Sequence, residues 1–428
     1  MLNIQKYFTT SFLALLSLPA TAMGFALSIQ ISTLSWKLDK LNLDAEQMGI
    51  VWSAGPIAGI IGQLLFGVIS DKVWFWGGRR RPFIIIGGVL TALMILALAN
   101  LEGINSFFDM FSLVFVAIVI ALVLDLSINI SFNPTRSVIS DVTPEGEVRT
   151  KGYTWMQFVS GFFGVLAYFI GAVLGKTFLF YTGAVVVLVF TILPAFLIEE
   201  PRELSPSVDR KRDVLGKNFG TNWRQFSAIC LAHSFTWLGV QTMFVYFLTF
   251  VKFKIDFPVS VEGIDPAGKV LDYAFMILNV IGFLLPVFVL SHLAKKIGRV
   301  KTHLICIAIM SLGYFGMVKF GNSEAMIYAM MAVVGIGWGA TVSLPFAIMS
   351  ESIDQSRMGF FMGVFNLSVV IPQLISSKLG GFIQESANKD IIFMISGVCL
   401  AISAVLWLLV KESANPSSSE IPVSGGGH

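Results

Sequence analysis

Charge is what this sequence has least of. Among 428 residues, 29 are Lys or Arg and 26 are Asp or Glu, 13% in all, roughly half the charged share of an average soluble domain. Hydrophobic residues make up 55% and the mean hydropathy is +0.80. One soluble core cannot hide that much apolar surface, so the chain needs lipid. The net charge of +3 is small, and no nucleic-acid partner is expected. Cysteine is nearly missing: Cys230, Cys306 and Cys399 all sit in apolar runs, which indicates neither a disulfide framework nor a metal cluster. The 4 histidines are scattered without ligand spacing, and no metal or other cofactor is expected. No nucleophile–base pair, ligand cluster or suitably spaced carboxylate pair stands out, so the chain does not read as an enzyme.

What the sequence has in quantity is apolar length. Stretches of about twenty residues meet the bilayer-crossing length. Twelve are counted, at roughly 8–31, 47–70, 82–100, 111–141, 152–174, 177–198, 224–251, 270–294, 302–320, 325–350, 357–384 and 390–411. The expected fold is an all-α membrane protein of twelve transmembrane helices, in two six-helix bundles around a central cavity. Pro19, Pro56, Pro134, Pro286, Pro345 and Pro372 fall inside these runs, which membrane helices tolerate where neighbours re-satisfy the backbone. The start of the chain imitates a secretory signal, with Lys6, a hydrophobic run and Ala20-Thr21-Ala22. In a polytopic chain it reads as the first span.

Lys and Arg in short loops set orientation. Lys72, Arg79, Arg80, Arg81, Arg149, Lys151, Arg202, Arg210, Lys211, Arg212, Lys217, Lys295, Lys296, Arg299 and Lys301 fall on one side. On the other, Lys37 and Lys40 mix with Asp39, Asp44 and Glu46. Both termini are therefore expected in the cytoplasm, in a multi-pass protein of the plasma (inner) membrane. The charged interval 199–223 reads as a cytoplasmic linker between a first bundle, 1–198, and a second, 224–411. Residues 412–428 are expected to be a disordered tail, its closing PVSGGGH an appended remnant.

The halves resemble each other. DKVWFWGGRRR at 71–81 follows the second span, and LAKKIGR at 293–299 follows the eighth. Pro134, Asp141, Arg149 and Gly152 find counterparts in Pro345, Glu351, Arg357 and Gly359 at nearly constant offset. Such an internal repeat is a signature of secondary transporters with a midplane site.

Residues 124–142, LDLSINISFNPTRSVISDV, carry polar groups inside an apolar run. Asp125 and Arg136 are eleven residues apart, and at about 100° per residue they end roughly 20° out of register, on one helix face. Asn129 and Asn133 share that face. A charge at mid-bilayer costs about 2.5–3.5 kcal/mol on insertion scales. Eleven residues rise about 16 Å, so the two charges cannot neutralise each other directly. Either each pairs with a neighbouring helix or both serve function, and the functional reading is preferred.

Residues 51–84 resemble the second span and following loop of plant sucrose–proton symporters, at Gly55-Pro56, Gly59, Gln63, Gly67, Ser70-Asp71 and the GRRRPF of 78–83. Residues 124–141 resemble their fourth span. GFALSIQ at 24–30 resembles the end of their first span, and HSFTW at 233–237 the seventh span of the animal relatives. These are glycoside–pentoside–hexuronide:cation symporters of the major facilitator superfamily. The chain departs from the plant pattern at Ser291-His292, where those members carry an acid. The resemblance implies proton-coupled uptake of a sugar, a disaccharide such as sucrose or maltose or else glucose. It implies Asp125 as proton acceptor and Arg136 as hydroxyl donor or charge partner. A carboxylate in an apolar cavity can load a proton on one side and release it on the other. Sodium is the alternative ion, with Asp125, Asn129, Ser127 and Ser131 as oxygen ligands. A monomer suffices for transport in this fold.

Sugar sites combine aromatic faces with amide partners in a partly apolar cleft. The candidates are Gln30, Gln63, Asn129, Asn133, Arg136, His233, Trp237, Gln241, Asn279 and Trp338. For His233, Asn279 and Gln63 an inter-helix hydrogen bond explains the residue equally well, and Trp237 and Trp338 also suit packing. Gly335, Gly337 and Gly339 read as close helix contacts. Asp71, Arg79, Arg80, Arg81 and Asp141, with the repeat counterparts Glu351 and Arg357, read as a gate latch at helix ends. The alternative is that the arginines merely set topology. The main rival reading, an efflux antiporter moving lipophilic or cationic compounds, calls for a more apolar cavity and an acid on the first span, where this chain has Gln30.

Overall fold

A computed structural model of the protein describes residues 7–62, 73–144, 147–201, 221–257, 265–353 and 358–412. In hydrocarbon every backbone polar group must be paired internally, which selects helices. All regular elements among the described residues are helical apart from an isolated bridge between Phe75 and Gly78.

The first half holds α1 (Thr10–Lys40), α2 (Ala45–Trp52, resuming over 54–62), α3 (Arg81–Ala99), a short α4 (Leu101–Phe107), α5 (Leu113–Val142), α6 (Glu147–Val173) and α7 (Lys176–Leu197). The second holds α8 (Trp223–Lys254), α9 (Pro266–Leu285), α10 (Ser291–Ile297), α11 (Arg299–Phe320), α12 (Glu324–Ser350), α13 (Met358–Lys378), α14 (Gly380–Glu385) and α15 (Ile391–Trp407). Ten helices among the described residues are long and apolar enough to cross a membrane, with α9 and α10 forming one span through a π-helical turn at Pro286–Leu290. Of the other two expected spans, the second runs from α2 into residues outside the description, and the twelfth is α15, 17 residues long. Residues 202–220 of the expected linker also lie outside it.

Helix starts follow capping chemistry. Thr9 Oγ1 accepts from the Phe12 N–H at 3.3 Å, Asn222 caps α8 through the Gln225 N–H at 3.1 Å, and Asp44 and Gln47 form a reciprocal capping box. α1 runs nine residues past its expected apolar end because Lys37 and Lys40 occupy its last turn. The π turn begins at Pro286, whose missing N–H breaks the regular ladder.

In the first half α1 packs on α5, α6 and α7, and α3 on α5 and α7; in the second, α8 packs on α13 and α15, and α11 on α12 and α15. Small residues set the spacing: a Cβ on Gly337 would stand 2.3 Å from Met310 Cβ, and one on Gly339 3.3 Å from Gly282 Cα.

The two ends of the bundle differ. At the end carrying the arginines and lysines, the basic end, one arrangement of charges repeats within each half. Arg80 Nε meets Asp141 at 2.9 Å, and Arg299 meets Glu351. Glu200 accepts the N–H groups of Arg79, Arg80 and Arg81 at 2.8, 2.8 and 2.7 Å. Glu412 likewise accepts those of Arg299 and Val300 at 2.8 and 2.9 Å. At the opposite end the halves join. Lys252 pairs with Asp39, the Trp36 indole donates to Asp265, the Ala45 N–H donates to Gln384 Oε1 at 3.1 Å, and Ser35 Oγ donates to the Val245 carbonyl at 3.0 Å.

Candidate functional site

Between the halves lies a cavity of about 510 Å³. One wall comes from α1, the 54–62 helix, α5 and α6, the other from α8, α9, α12 and α13. Its centre of charge is Asp125, buried on α5 with 7% of its surface exposed. Gln30 of α1 donates to it, Nε2 to Oδ2 at 2.8 Å. Gly55 leaves room for the carboxylate, since a Cβ there would stand 3.3 Å from Oδ2. An amide suits such a carboxyl in either protonation state: its NH2 donates to the anion, and its carbonyl accepts from the acid after a flip. Asn129 reaches back along its own helix, Nδ2 to the Asp125 carbonyl at 2.8 Å.

Of the face set by helical arithmetic, Asp125 and Asn129 line the cavity, with Phe132 beside them. Asn133 and Arg136 continue α5 toward the basic end and are not among the lining residues. The Arg136 guanidinium lies over the Phe132 ring, 4.1 Å from its centroid, and Tyr153 donates to the Arg136 carbonyl at 3.3 Å. Arg136 thus reaches the cavity through Phe132. Ser127 and Ser131 depart from the oxygen set considered for sodium. Ser127 bonds back to the Val123 carbonyl, and Ser131 turns to α3, bonding the Phe83 carbonyl at 3.0 Å.

On the facing wall, Trp237, Gln241, Asn279 and Trp338 all line the cavity. The two indoles meet edge-on with centroids 6.0 Å apart, and Phe244 lies 5.4 Å from Trp338. His233 stands behind this wall. Its Nε2 accepts the Trp237 indole N–H at 2.9 Å, and its ring stacks on Phe365 at 4.8 Å, so it orients Trp237. Gln373 donates to Gln241 at 3.4 Å, and Asn279 to the Phe275 carbonyl at 2.8 Å.

Tyr168, Asn366, Gln373 and Trp52 also line the cavity, and they were not anticipated. Their signal was a polar or amphipathic side chain within an apolar run, the same signal that marked Gln241. Of the gate residues, Arg80 and Asp141 are joined, while Arg79 and Arg81 lend backbone N–H groups to Glu200. Glu351 pairs with Arg299 at the start of α11. Gln63, Asp71 and Arg357 lie outside the described residues.

A sequence model of the Major Facilitator Superfamily matches residues 16–377 and again 280–424. The sucrose transport protein SUC4 of Arabidopsis thaliana is 25% identical over 429 residues, covering 85% of this chain and 82% of that one. The sucrose transport protein SUT5 of Oryza sativa subsp. indica is 21% identical over 95% of this chain and 89% of its own. Among solved structures, the xylose transporter XylE from E. coli superimposes with a TM-score of 0.69 at 16% identity, over 95% of this chain and 97% of that one. The nucleoside transporter NupG gives 0.68 at 13% identity, over 93% and 97%. At these identities the structures speak for the fold alone.

Proposed function

Because the chain belongs to the Major Facilitator Superfamily, we propose that it is a secondary active transporter in which proton entry drives symport of a neutral sugar, a disaccharide such as sucrose or maltose. The observation that carries the reading is Asp125, a buried carboxylate held by Gln30 in the wall of an amide-lined cavity. Similarity to sucrose transport proteins over most of each chain supports the substrate class. A proton on Asp125 removes the charge that would otherwise cross a low-dielectric path. Gln30 holds the carboxyl in either state. Asn129, Gln241, Gln373, Asn279 and Asn366 offer hydroxyl partners, and Trp237 and Trp338 offer the apolar face a pyranose ring needs. The volume, about 510 Å³, falls within the roughly 300–1,000 Å³ of small-molecule sites.

Each pH unit of gradient supplies about 1.4 kcal/mol, and 100 mV adds about 2.3 kcal/mol per proton, enough to concentrate an uncharged solute. In this reading residues 1–198 and 224–411 are the moving halves, joined by 199–223, and 412–428 is a tail. The basic end faces the cytoplasm, by its excess of Lys and Arg, and the protein works as a monomer in the plasma (inner) membrane. Proteoliposomes given labelled sucrose, maltose and glucose under an inward proton gradient, with and without sodium, test it. Accumulation that a protonophore abolishes is expected. Accumulation that requires sodium, or extrusion of lipophilic cations in its place, would sink it.

A further inference from the structure

A second set of intramembrane charges lies outside the cavity. Lys176 opens α7 and Asp272 sits on the second turn of α9; their side chains are 5% and 0% exposed, with Nζ and Oδ1 2.6 Å apart. Ser32 of α1 completes the arrangement. Its hydroxyl donates to Asp272 Oδ1 at 2.7 Å. Lys176 Nζ donates to the Ser32 carbonyl at 2.7 Å and to its Oγ at 2.9 Å. Gly171 of α6 closes the remaining side, where a Cβ would stand 2.4 Å from Asp272 Oδ2. Ser32, Gly171 and Lys176 belong to the first half and Asp272 to the second. The network therefore bridges the halves, and it does so near the end opposite the basic one. Tyr168 and Phe275, with ring centroids 6.0 Å apart, stand one turn nearer the cavity, and Tyr168 is part of its wall.

The ion pairs that cross between the halves nearer that surface are weak holds. The Lys252 and Asp39 side chains are 43% and 19% exposed, so water and salt screen them. The buried pair differs. Parting the halves carries Asp272 away with α9 while Lys176 and Ser32 stay behind. The two bare charges are then tolerable only if water follows into the gap.

We propose that Lys176, Ser32 and Asp272 form the outer latch of the transport cycle, a buried inter-half ion pair that shuts the cavity at the end opposite the basic one and separates to admit solute there. This rests on the alternating-access reading but not on the identity of sugar or ion. Spin labels at Ser106→Cys and Asn388→Cys, one on each half at that end, report the separation by pulsed electron resonance. The full-length protein is used in lipid nanodiscs, with Cys230, Cys306 and Cys399 replaced by Ala. The single variant Asp272→Asn leaves Lys176 buried without its counter-charge in the closed state and is expected to raise the open-to-closed ratio at least about tenfold, a shift well within what breaking a buried pair costs. The exchange Lys176→Asp/Asp272→Lys is expected to restore the closed distances. Ser32→Ala keeps both charges and is expected to open the end to a smaller extent. An Asp272→Asn variant with the parent's distance distribution would overturn the latch, as would an exchanged variant as open as Asp272→Asn. No sugar or gradient enters the measurement, so its failure is distinguishable from failure of the sugar–proton assignment.

Discussion

Asp125 and Gln30 define the chemistry at the scale of a side chain. Asp125→Asn keeps the shape and the hydrogen-bond capacity toward Gln30 but cannot give up a proton. Gradient-driven accumulation is expected to vanish while sugar exchange between preloaded vesicles and medium persists, as a counterflow assay would show. Trp338→Ala removes an aromatic face from the cavity wall and is expected to raise KM roughly 2- to 10-fold, in line with about 0.5–1.5 kcal/mol for an aromatic contact. Steady-state uptake against sugar concentration checks it. The face shared by Asp125 and Asn129 was legible from spacing alone, because a helix repeats whether or not its neighbours are known. The role of His233 was not. Its i+4 spacing to Trp237 is visible in the sequence, but only packing against Phe365 shows that the imidazole faces away from the cavity and accepts the indole N–H. The same holds for Arg136, whose place over Phe132 depends on where α5 ends relative to the cavity.

Among the helices, contact distance decides what a substitution does. Gly337→Val forces side-chain atoms against Met310, where even a Cβ would stand 2.3 Å from that residue's Cβ. Overpacking of this kind typically costs about 1–3 kcal/mol, so a lower Tm is expected by thermal unfolding in detergent. Gly103→Ala in α4, with nothing within 4 Å of the added Cβ, is expected to leave Tm unchanged or slightly raised. Glu200 accepts three backbone N–H groups at the start of α3, a carboxylate on a helix N-terminus. Glu200→Ala is expected to destabilise by roughly 1–3 kcal/mol, read on the same unfolding curve. The spans themselves were legible, since about twenty apolar residues have one use in lipid. The π turn at Pro286 and the short α4 were not, because each depends on backbone details that hydropathy does not record.

For the whole molecule, two similar halves close on a largely apolar cavity that carries Asp125 and several amides, joined at one end by cross-half contacts and braced at the other by paired motifs within each half. Arg80–Asp141 and Arg299–Glu351, with Glu200 and Glu412 on the adjoining helix starts, give the sequence repeat its physical content. The repeat was readable in the order of Pro, acid and Arg along the chain. That Arg299 is the partner of Glu351 was not, because nothing in the sequence places that helix-start arginine beside that acid. Lys176 and Asp272 passed unnoticed because each sits close to the end of an apolar run, where a charge is unremarkable until the two are seen in contact. If protons drive the cycle, accumulation at fixed internal pH rises as external pH falls, by up to about tenfold per unit at one proton per sugar. Uptake measured across a series of external pH values checks this.

The most direct test of proton–sugar symport through Asp125 is proton movement itself. Proteoliposomes with no imposed gradient, in weakly buffered medium, are given sucrose or maltose while external pH is recorded. Sugar-induced alkalinisation is predicted, about one proton for each sugar taken up, and absent from the Asp125→Asn protein. Sugar entry without alkalinisation, or alkalinisation that survives Asp125→Asn, would contradict the account.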